Sequence, residues 1–294
     1  MSGQVVKFTK MSAGGNDFIV LDNITAAEHE IVKVDPDFVR HVCTRALSVG
    51  ADGVILVEPS TTAHARMIYF NSDGGRADLC GNGVRCVARL LVLKRLAPSD
   101  GLTIETDVGT LSAAVEGDRP WFRLPLGPPE LRSVTLHLEG SLDEVSRTFN
   151  GTLVKVGVPH LVLTSRDAHG MSARELSALA PRLRSHPDLG PGGANVDFIT
   201  VRDAHALDIR CYERGVEAET LSSGSGCIAA ALAATTSGTA ESPVSCRSRT
   251  GLTSAVTFTP GSGGGGALDA TLAGDARVIY TGVLNAEALA GFTP

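Results

Sequence analysis

Aromatic residues are scarce in this sequence, where they make up 4% of 294 residues. Because 43% of the residues are nevertheless hydrophobic, the core must be built from Val, Leu, Ile and Ala, and the chain is long enough for two domains of ordinary size. We find no apolar run of membrane-spanning length and no N-terminal cationic and apolar signal. These features predict a cytoplasmic protein that does not bind a membrane.

A large excess of one charge is also missing. The net charge is only −6, and the Lys and Arg residues are scattered, which argues against nucleic acid or an anionic membrane as the main partner. The six cysteines show no CxxC pair and no His/Cys ligand spacing, in a chain far larger than the usual disulfide scaffold. We therefore expect reduced thiols, no metal site and a small polar ligand.

The most informative stretch runs from Tyr69 to Leu91. A strand-like segment leads through an Asn-Ser-Asp-Gly-Gly turn to Cys-Gly-Asn-Gly and then to a helical apolar pattern. Cys80 therefore lies just before a helix, where unpaired N–H groups and the positive end of the helix dipole favour a thiolate. A buried structural cysteine is the alternative, but the flanking glycines, which let a ligand approach the main chain, favour a functional thiol.

The second half of the chain repeats the outline of the first. An offset of 143 residues aligns strand, turn and helix in both halves without a gap, and it places Ser223 opposite Cys80. This register predicts a duplicated α/β domain whose two helix starts face each other across a cleft. We expect an N-terminal domain of residues 1–120 with the tail from about 276 to 294, and a C-terminal domain of residues 121–275.

Such a cleft suits the inversion of a carbon centre. One weak base removes a proton, and a second group returns a proton from the opposite face. Without a cofactor, a carbanion beside a carboxylate must be stabilised by fixed dipoles, which two converging helix N-termini would provide. Thiols suit both roles because their pKa values lie near neutrality and respond to helix ends.

Several segments in both halves, in the right order, resemble the diaminopimelate epimerase family. They are KMSAGGNDFIVL (10–21), GADGVILVE (50–58), the segment 70–86, GVPH (157–160), NVDF (195–198) and YERGVEAETLSSGSG (212–226). The resemblance implies interconversion of LL- and meso-diaminopimelate without pyridoxal phosphate or metal, on the route to lysine and peptidoglycan. It also implies two similar domains, each a curled mixed sheet around a central helix, and a homodimer.

The resemblance also implies roles for particular residues. Cys80 resembles the first catalytic thiol, and Ser223 stands where the family has the second. His160 and Glu213 resemble the pair that assists proton transfer. The groups around the α-carboxylate correspond to Gly81, Asn82, Gly224 and Ser225, and those that hold the distal end of the substrate correspond to Asn16, Asn71, Asn195 and Arg214.

Two positions depart from the family pattern. Val158 replaces the usual Asn before Pro-His, and Ser223 replaces a cysteine although a hydroxyl is a far weaker acid than a thiol. Cys227, about one helical turn further on, cannot substitute for it. Three interpretations remain open: an epimerase in which one thiol has been replaced by engineering, a natural enzyme with one-base chemistry such as hydroxyproline dehydration, and a non-catalytic diaminopimelate-binding protein.

Overall fold

The computed structural model of the chain describes residues 6–26, 33–140 and 146–289, so residues 290–294 of the predicted tail lie outside it. The described residues form four α-helices, namely α1 (Pro36–Cys43), α2 (Gly81–Leu93), α3 (Ala173–Arg184) and α4 (Gly224–Thr236). The first strands are β1 (Val6–Ala13), β2 (Asn16–Asp22), β3 (Gly53–Glu58), β4 (Ala65–Asn71), β5 (Arg76–Ala77), β6 (Leu102–Thr106), β7 (Gly109–Glu116), β8 (Arg119–Gly127) and β9 (Leu131–Leu138). The others are β10 (Arg147–Val156), β11 (Val158–Thr164), β12 (Asn195–Asp203), β13 (Ala206–Glu213), β14 (Ala218–Thr220), β15 (Val244–Arg247), β16 (Thr253–Pro260), β17 (Leu268–Ala273) and β18 (Arg277–Leu284).

The chain divides into two compact units. One comprises residues 1–123 with 273–294, and the other comprises residues 124–272. The sequence places the corresponding boundaries at 120 and 275. Within the described ranges, no helix combines the length and the apolar character that a membrane span requires.

In the first unit, the chain enters a mixed sheet through a tight hairpin. Strands β1 and β2 are antiparallel across Gly14 and Gly15, which both have positive φ (65° and 99°), as a two-residue turn of this hand requires. Strand β2 runs parallel to β3, and β3 runs antiparallel to β4. Strand β4 then pairs with the short β5 and, in parallel, with β6.

The second unit repeats this order of pairing. Its antiparallel pair β10–β11 is followed by the parallel pair β11–β12 and the antiparallel pair β12–β13, and β13 then pairs with the short β14 and, in parallel, with β15. The 143-residue offset carries the bounds of α2 onto those of α4, and each helix has 13 residues. The two units therefore share one topology, as the internal repeat predicts.

Each unit packs its strands around one central helix. Residues 226–234 of α4 are all buried, and this helix contacts β10, β11, β12, β13, β15 and β16. A helix that is apolar on all sides is stable only when it is enclosed, and the small Ala side chains of α4 let the strands approach closely. In the first unit α2 contacts β1, β4, β6, β7 and β18. The predicted mixed α/β architecture is thereby confirmed.

Both central helices begin three residues earlier than their apolar patterns alone predict, at Gly81 and Gly224 instead of Val84 and Cys227. Glycine has a poor helix propensity, which makes the first turn invisible to a periodicity argument. In the structure both first turns are held by tertiary packing, and the first turn of α4 is also capped by the Ser223 side chain. Cys80 and Ser223 are thus the N-cap residues, directly at the helix ends.

Candidate active site

In the first unit, Cys80 lies at the N-terminus of α2 in an extended backbone conformation (φ −133°, ψ 107°). Its Sγ lies 3.8 Å from Asn16 Oδ1, an oxygen that accepts a hydrogen bond from the thiol. All six cysteines are free thiols, and Cys80 is only half-buried whereas the other five are buried. The most accessible thiol is therefore the one at the helix N-terminus.

Asn16 is held in a single orientation beside Cys80. Its Nδ2 donates to Asp52 Oδ2 at 2.7 Å, and because a carboxylate only accepts, the amide oxygen must point the other way. That oxygen faces the Cys80 thiol and also accepts from Asn82 Nδ2 at 3.4 Å. Asn82 Oδ1 in turn accepts from Nη2 of the fully buried Arg85 at 2.5 Å. A chain of fixed polar groups thus runs along the first turn of α2.

In the second unit, Ser223 occupies the equivalent position at the start of α4, with nearly the same backbone angles (φ −125°, ψ 113°). Its side chain is 5% exposed, and Oγ accepts from the Gly226 N–H at 3.1 Å, which is the usual N-cap bond of serine. A Cβ on Gly226 would lie 2.7 Å from Asp197 Oδ1, so only glycine fits there. Gly224 and Ser225 are half-buried in the same turn.

Glu213 ends β13 and is partly buried near Ser223. Burial raises the pKa of its carboxyl, and hydrogen bonds from Thr220 and Ser223, together with the charge of His160, oppose that rise. The Thr220 hydroxyl donates to Glu213 Oε1 at 2.6 Å. A carboxyl group whose pKa is raised toward neutrality is suited to exchange protons at physiological pH.

His160 lies on β11 without solvent exposure, and its two ring nitrogens face different partners. Nδ1 lies 2.7 Å from Oδ2 of the equally buried Asp197, and Nε2 lies 3.4 Å from Asn195 Nδ2. Asn195 Oδ1 accepts from the Arg214 backbone N–H at 2.8 Å. The Arg214 guanidinium donates to the Gly192 carbonyl at 3.2 Å. The parallel pairing of β11 with β12 brings His160 opposite Asn195.

Four of the five buried thiols have raised pKa values. Burial raises the pKa of Cys43 to about 12. It is also the main cause of the raised pKa values of Cys86 and Cys211, and the raised pKa of Cys246 comes first from its interaction with Cys227 and then from burial. Cys227 is the fourth residue of α4, and its carbonyl accepts from the Cys246 thiol at 3.6 Å. Cys227 is therefore not at the helix tip, as its spacing from Ser223 predicts.

Apart from Asn71, the predicted site residues form one group within each unit. In the first unit, Asn16 contacts both Cys80 and Asn82, beside Gly81. Asn71 is exposed at the end of β4, where its backbone is hydrogen-bonded to Gly74 and Gly75. In the second unit the group comprises Ser223, Glu213, His160, Asn195, Arg214, Gly224 and Ser225. In the part of the chain that the structure describes, no cluster of three or more His, Cys, Asp or Glu side chains could hold a metal ion.

The sequence did not lead us to predict a role for two residues of these groups. Arg85 is a fully buried cation on α2, and Asp197 is a fully buried anion on β12. A signal for Asp197 was present, because side chains two residues apart on a strand point to the same face, and Asp197 follows Asn195 at that spacing. Arg85 lies three residues after Asn82, so the two side chains lie on the same face of the helix. The burial of Arg85 could not be expected, because arginine is rarely buried.

The comparisons with known sequences agree over both units. The family model for diaminopimelate epimerase matches residues 8–132 and 152–261. A diaminopimelate epimerase from Archaeoglobus fulgidus is 36% identical over 258 residues, which cover 84% of this chain and 88% of that protein. One from Halorhodospira halophila is 34% identical over 298 residues and covers 98% of both chains.

Solved structures with the same fold are more distant in sequence. A hydroxyproline epimerase from Agrobacterium vitis aligns with a TM-score of 0.68 at 17% identity, over 96% of this chain and 93% of its own. A phenazine biosynthesis protein of the PhzF family from Bacillus anthracis aligns with a TM-score of 0.67 at 15% identity, over 96% and 99%. At such identities the likeness concerns the fold alone.

Proposed function

This chain belongs to the diaminopimelate epimerase family, and we propose that it is a cofactor-independent epimerase of diaminopimelate whose rate is limited by Ser223. The observation that carries the proposal is the pair of equivalent helix starts. One begins at a half-buried thiol, and the other begins at a hydroxyl in the same backbone conformation. The family reaction interconverts the LL and meso forms, and its place is in the supply of lysine and of peptidoglycan precursors.

The first half of the proposed reaction belongs to Cys80. Its thiolate, favoured by the helix dipole, removes the α-proton, and the negative charge that spreads into the α-carboxylate is stabilised by N–H groups. We assign that stabilisation to the first-turn N–H groups of both helices, those after Cys80 and those of Gly224 and Ser225. An N–H group that is already fixed in place needs no reorganisation when the charge develops.

The second half of the reaction requires a group that returns a proton to the opposite face. We assign this role to Ser223, whose hydroxyl is already engaged as the N-cap of α4 and lies beside Glu213. A serine hydroxyl is a weak acid and a weak base near neutral pH unless a neighbour assists it. We therefore propose that Glu213 and His160 donate and accept the protons on the Ser223 side of the site and that inversion is slow.

The distal amino acid end of the substrate is assigned to the polar groups of both units. Asn16, Asn71 and Asn195 offer amides, and Arg214 offers a planar guanidinium that binds a carboxylate bidentately. Val158, the first residue of β11, is half-buried and supplies no polar group at its position. We expect this change to weaken binding of the distal end without abolishing it.

The test is proton NMR of LL- and meso-diaminopimelate in deuterated buffer. We expect Cys80 to exchange the α-proton of one diastereomer for deuterium, with inversion much slower than exchange. The matched control is Cys80→Ser, which removes no side-chain cap from α2, because Cys80 makes none, and which should abolish exchange. Fast inversion of both diastereomers by the unaltered chain would show that Ser223 does not limit the rate. Tight binding of diaminopimelate without any exchange would instead favour a non-catalytic binding protein.

The hydroxyl at position 223 also favours a second candidate. An enzyme with one thiol base and one hydroxyl acid suits the dehydration of a hydroxylated cyclic amino acid, in which the hydroxyl group protonates or hydrogen-bonds the leaving group. Incubation with the hydroxyprolines under the same NMR conditions tests this candidate. Loss of water from any of them, together with no exchange on diaminopimelate, would replace the epimerase assignment.

We further propose that the protein is a cytoplasmic homodimer. Support for a partner comes from β18, where Val278, Ile279, Tyr280 and Val283 are 39 to 59% exposed. Large apolar side chains grouped on an exposed strand are typical of an interaction surface. Light scattering after size-exclusion chromatography should give twice the 30.5 kDa chain mass, and Tyr280→Lys should shift that mass toward the monomer.

A further inference from the structure

The proposed reaction assigns a role to His160 but none to Asp197, the buried aspartate beside it. Neither side chain is exposed to solvent, and the 2.7 Å distance between Nδ1 and Oδ2 is that of a strong hydrogen bond to a charged acceptor. Asp197 lies two residues after Asn195 on β12, so both side chains point to the face that meets His160 and the start of α4. A buried carboxylate is costly unless it is paired or hydrogen-bonded, and the His160 ring supplies such a partner here.

The hydrogen bonds around His160 allow only one neutral tautomer. The Arg214 backbone N–H can only donate, so the atom of Asn195 that it meets must be the amide oxygen. The amide nitrogen of Asn195 then faces His160 Nε2, and this ring nitrogen must act as an acceptor. The proton of the neutral imidazole consequently lies on Nδ1, where it is donated to Asp197.

The second oxygen of Asp197 connects this pair to the catalytic helix start. Asp197 Oδ1 is buried and accepts no N–H or O–H hydrogen bond from the described residues. It lies against Gly226, in the first turn of α4, where a Cβ would approach it to 2.7 Å. The other titratable groups that face this pair are Glu213 at the end of β13 and the Cys211 thiol, whose pKa is raised by burial and by the Asp197 charge.

We propose that Asp197 is a positioning residue that holds His160 as its Nδ1–H tautomer and so makes Nε2 the nitrogen that exchanges protons in the reaction. The inference rests on the proposed function, because it assumes that His160 assists proton transfer there. When Nε2 takes up a proton, the Asp197 carboxylate beside Nδ1 stabilises the imidazolium. A negative charge beside the first turn of α4 is also favoured by the helix dipole.

The first test reads the tautomer directly and needs no substrate. Long-range ¹H–¹⁵N correlation spectra of labelled protein distinguish the two imidazole nitrogens, and His160→Gln identifies the His160 signals among the eight histidines. At neutral pH we expect a protonated Nδ1 and an unprotonated Nε2. An Nε2–H tautomer in the unaltered protein would overturn the proposal, whatever the activity of the enzyme.

The second test uses Asp197→Asn, which keeps the shape and removes the charge. We expect the α-proton exchange rate to fall about 10- to 100-fold, the range for loss of a carboxylate that orients a histidine, with little change in KM. In a His160→Gln background the same substitution should have no further effect on rate, since residues that act as a unit are not additive.

The matched control is Asp208→Asn. Asp208 is also a buried aspartate, but it lies on β13 and pairs with Arg247 at 2.7 Å. Its loss should lower stability without moving the His160 tautomer or the pH profile. If Asp197→Asn slows exchange equally with and without His160, Asp197 has only a structural role and the proposal fails. If the tautomer is Nδ1–H but diaminopimelate is not a substrate, the proposed function fails while the positioning of His160 stands.

Discussion

Replacement of Ser223 by Cys is expected to make the enzyme faster and the fold weaker. The hydroxyl now caps α4 through a 3.1 Å bond from Gly226 N–H, and loss of a serine cap costs about 0.5–2 kcal/mol. Sulfur is a weak acceptor, so we expect stability to fall by about 1 kcal/mol. A thiol with a pKa near 8.5 is ionised to about 10% at pH 7.5, and a positioned acid–base group contributes about 10²- to 10⁴-fold to rate. We therefore expect inversion to accelerate at least 100-fold.

The assay compares inversion rates by NMR and unfolding free energies by urea denaturation. Ser172→Cys is the matched control, because Ser172 caps α3 through a 3.1 Å bond from Glu175 N–H and lies outside the proposed site. Both variants should lose similar stability, but only Ser223→Cys should gain activity. A folded Ser223→Cys variant that is no faster than its parent would refute the view that a missing thiol limits the reaction.

Two other results follow from the structure. Iodoacetamide should alkylate the native protein once, at Cys80, because the other five thiols are buried; mass spectrometry of peptides would contradict this if a second cysteine were labelled before unfolding. Because the pKa of Glu213 is raised from 4.5 in the fold, its stabilising contribution is fully present below about pH 4.5 and is lost as the pH rises through the raised value. Glu213→Gln should therefore remove part of the pH dependence of the unfolding free energy. If urea denaturation at several pH values shows the same pH dependence in the variant and its parent, the prediction is wrong.

The elements that sequence reasoning found are those whose causes are local. The N-cap of α3 is an example, since Ser172 and Glu175 are three residues apart and the Ser172 hydroxyl accepts from the Glu175 N–H. The Gly-Gly turn between β1 and β2 is another, because positive φ at two successive residues is a property of residue type. Hydrophobic periodicity does not reveal the first turns of α2 and α4, because glycine and serine carry no apolar signal. Tertiary packing overrides the poor helix propensity of these residues.

The proposed catalytic residues divide in the same way. The positions of Cys80 and Ser223 at helix starts follow from an internal repeat that can be recognised in the amino-acid sequence alone. The pairing of His160 with Asp197 is not visible there, because it depends on the parallel register of β11 and β12, two strands separated by a helix and about 30 residues of chain. The same is true of the Arg85 side chain, whose burial is decided by the strands that pack around α2.

By itself the sequence determined the family, the duplicated topology and the thiol at the start of a helix, since each is recorded in short segments of consecutive residues. Only the tertiary structure decided which nitrogen of His160 carries the proton, why position 226 must be glycine, and how burial raises the pKa of Glu213. The physical reason is that tautomers, steric limits and desolvation depend on atoms that are distant in the chain and adjacent in space.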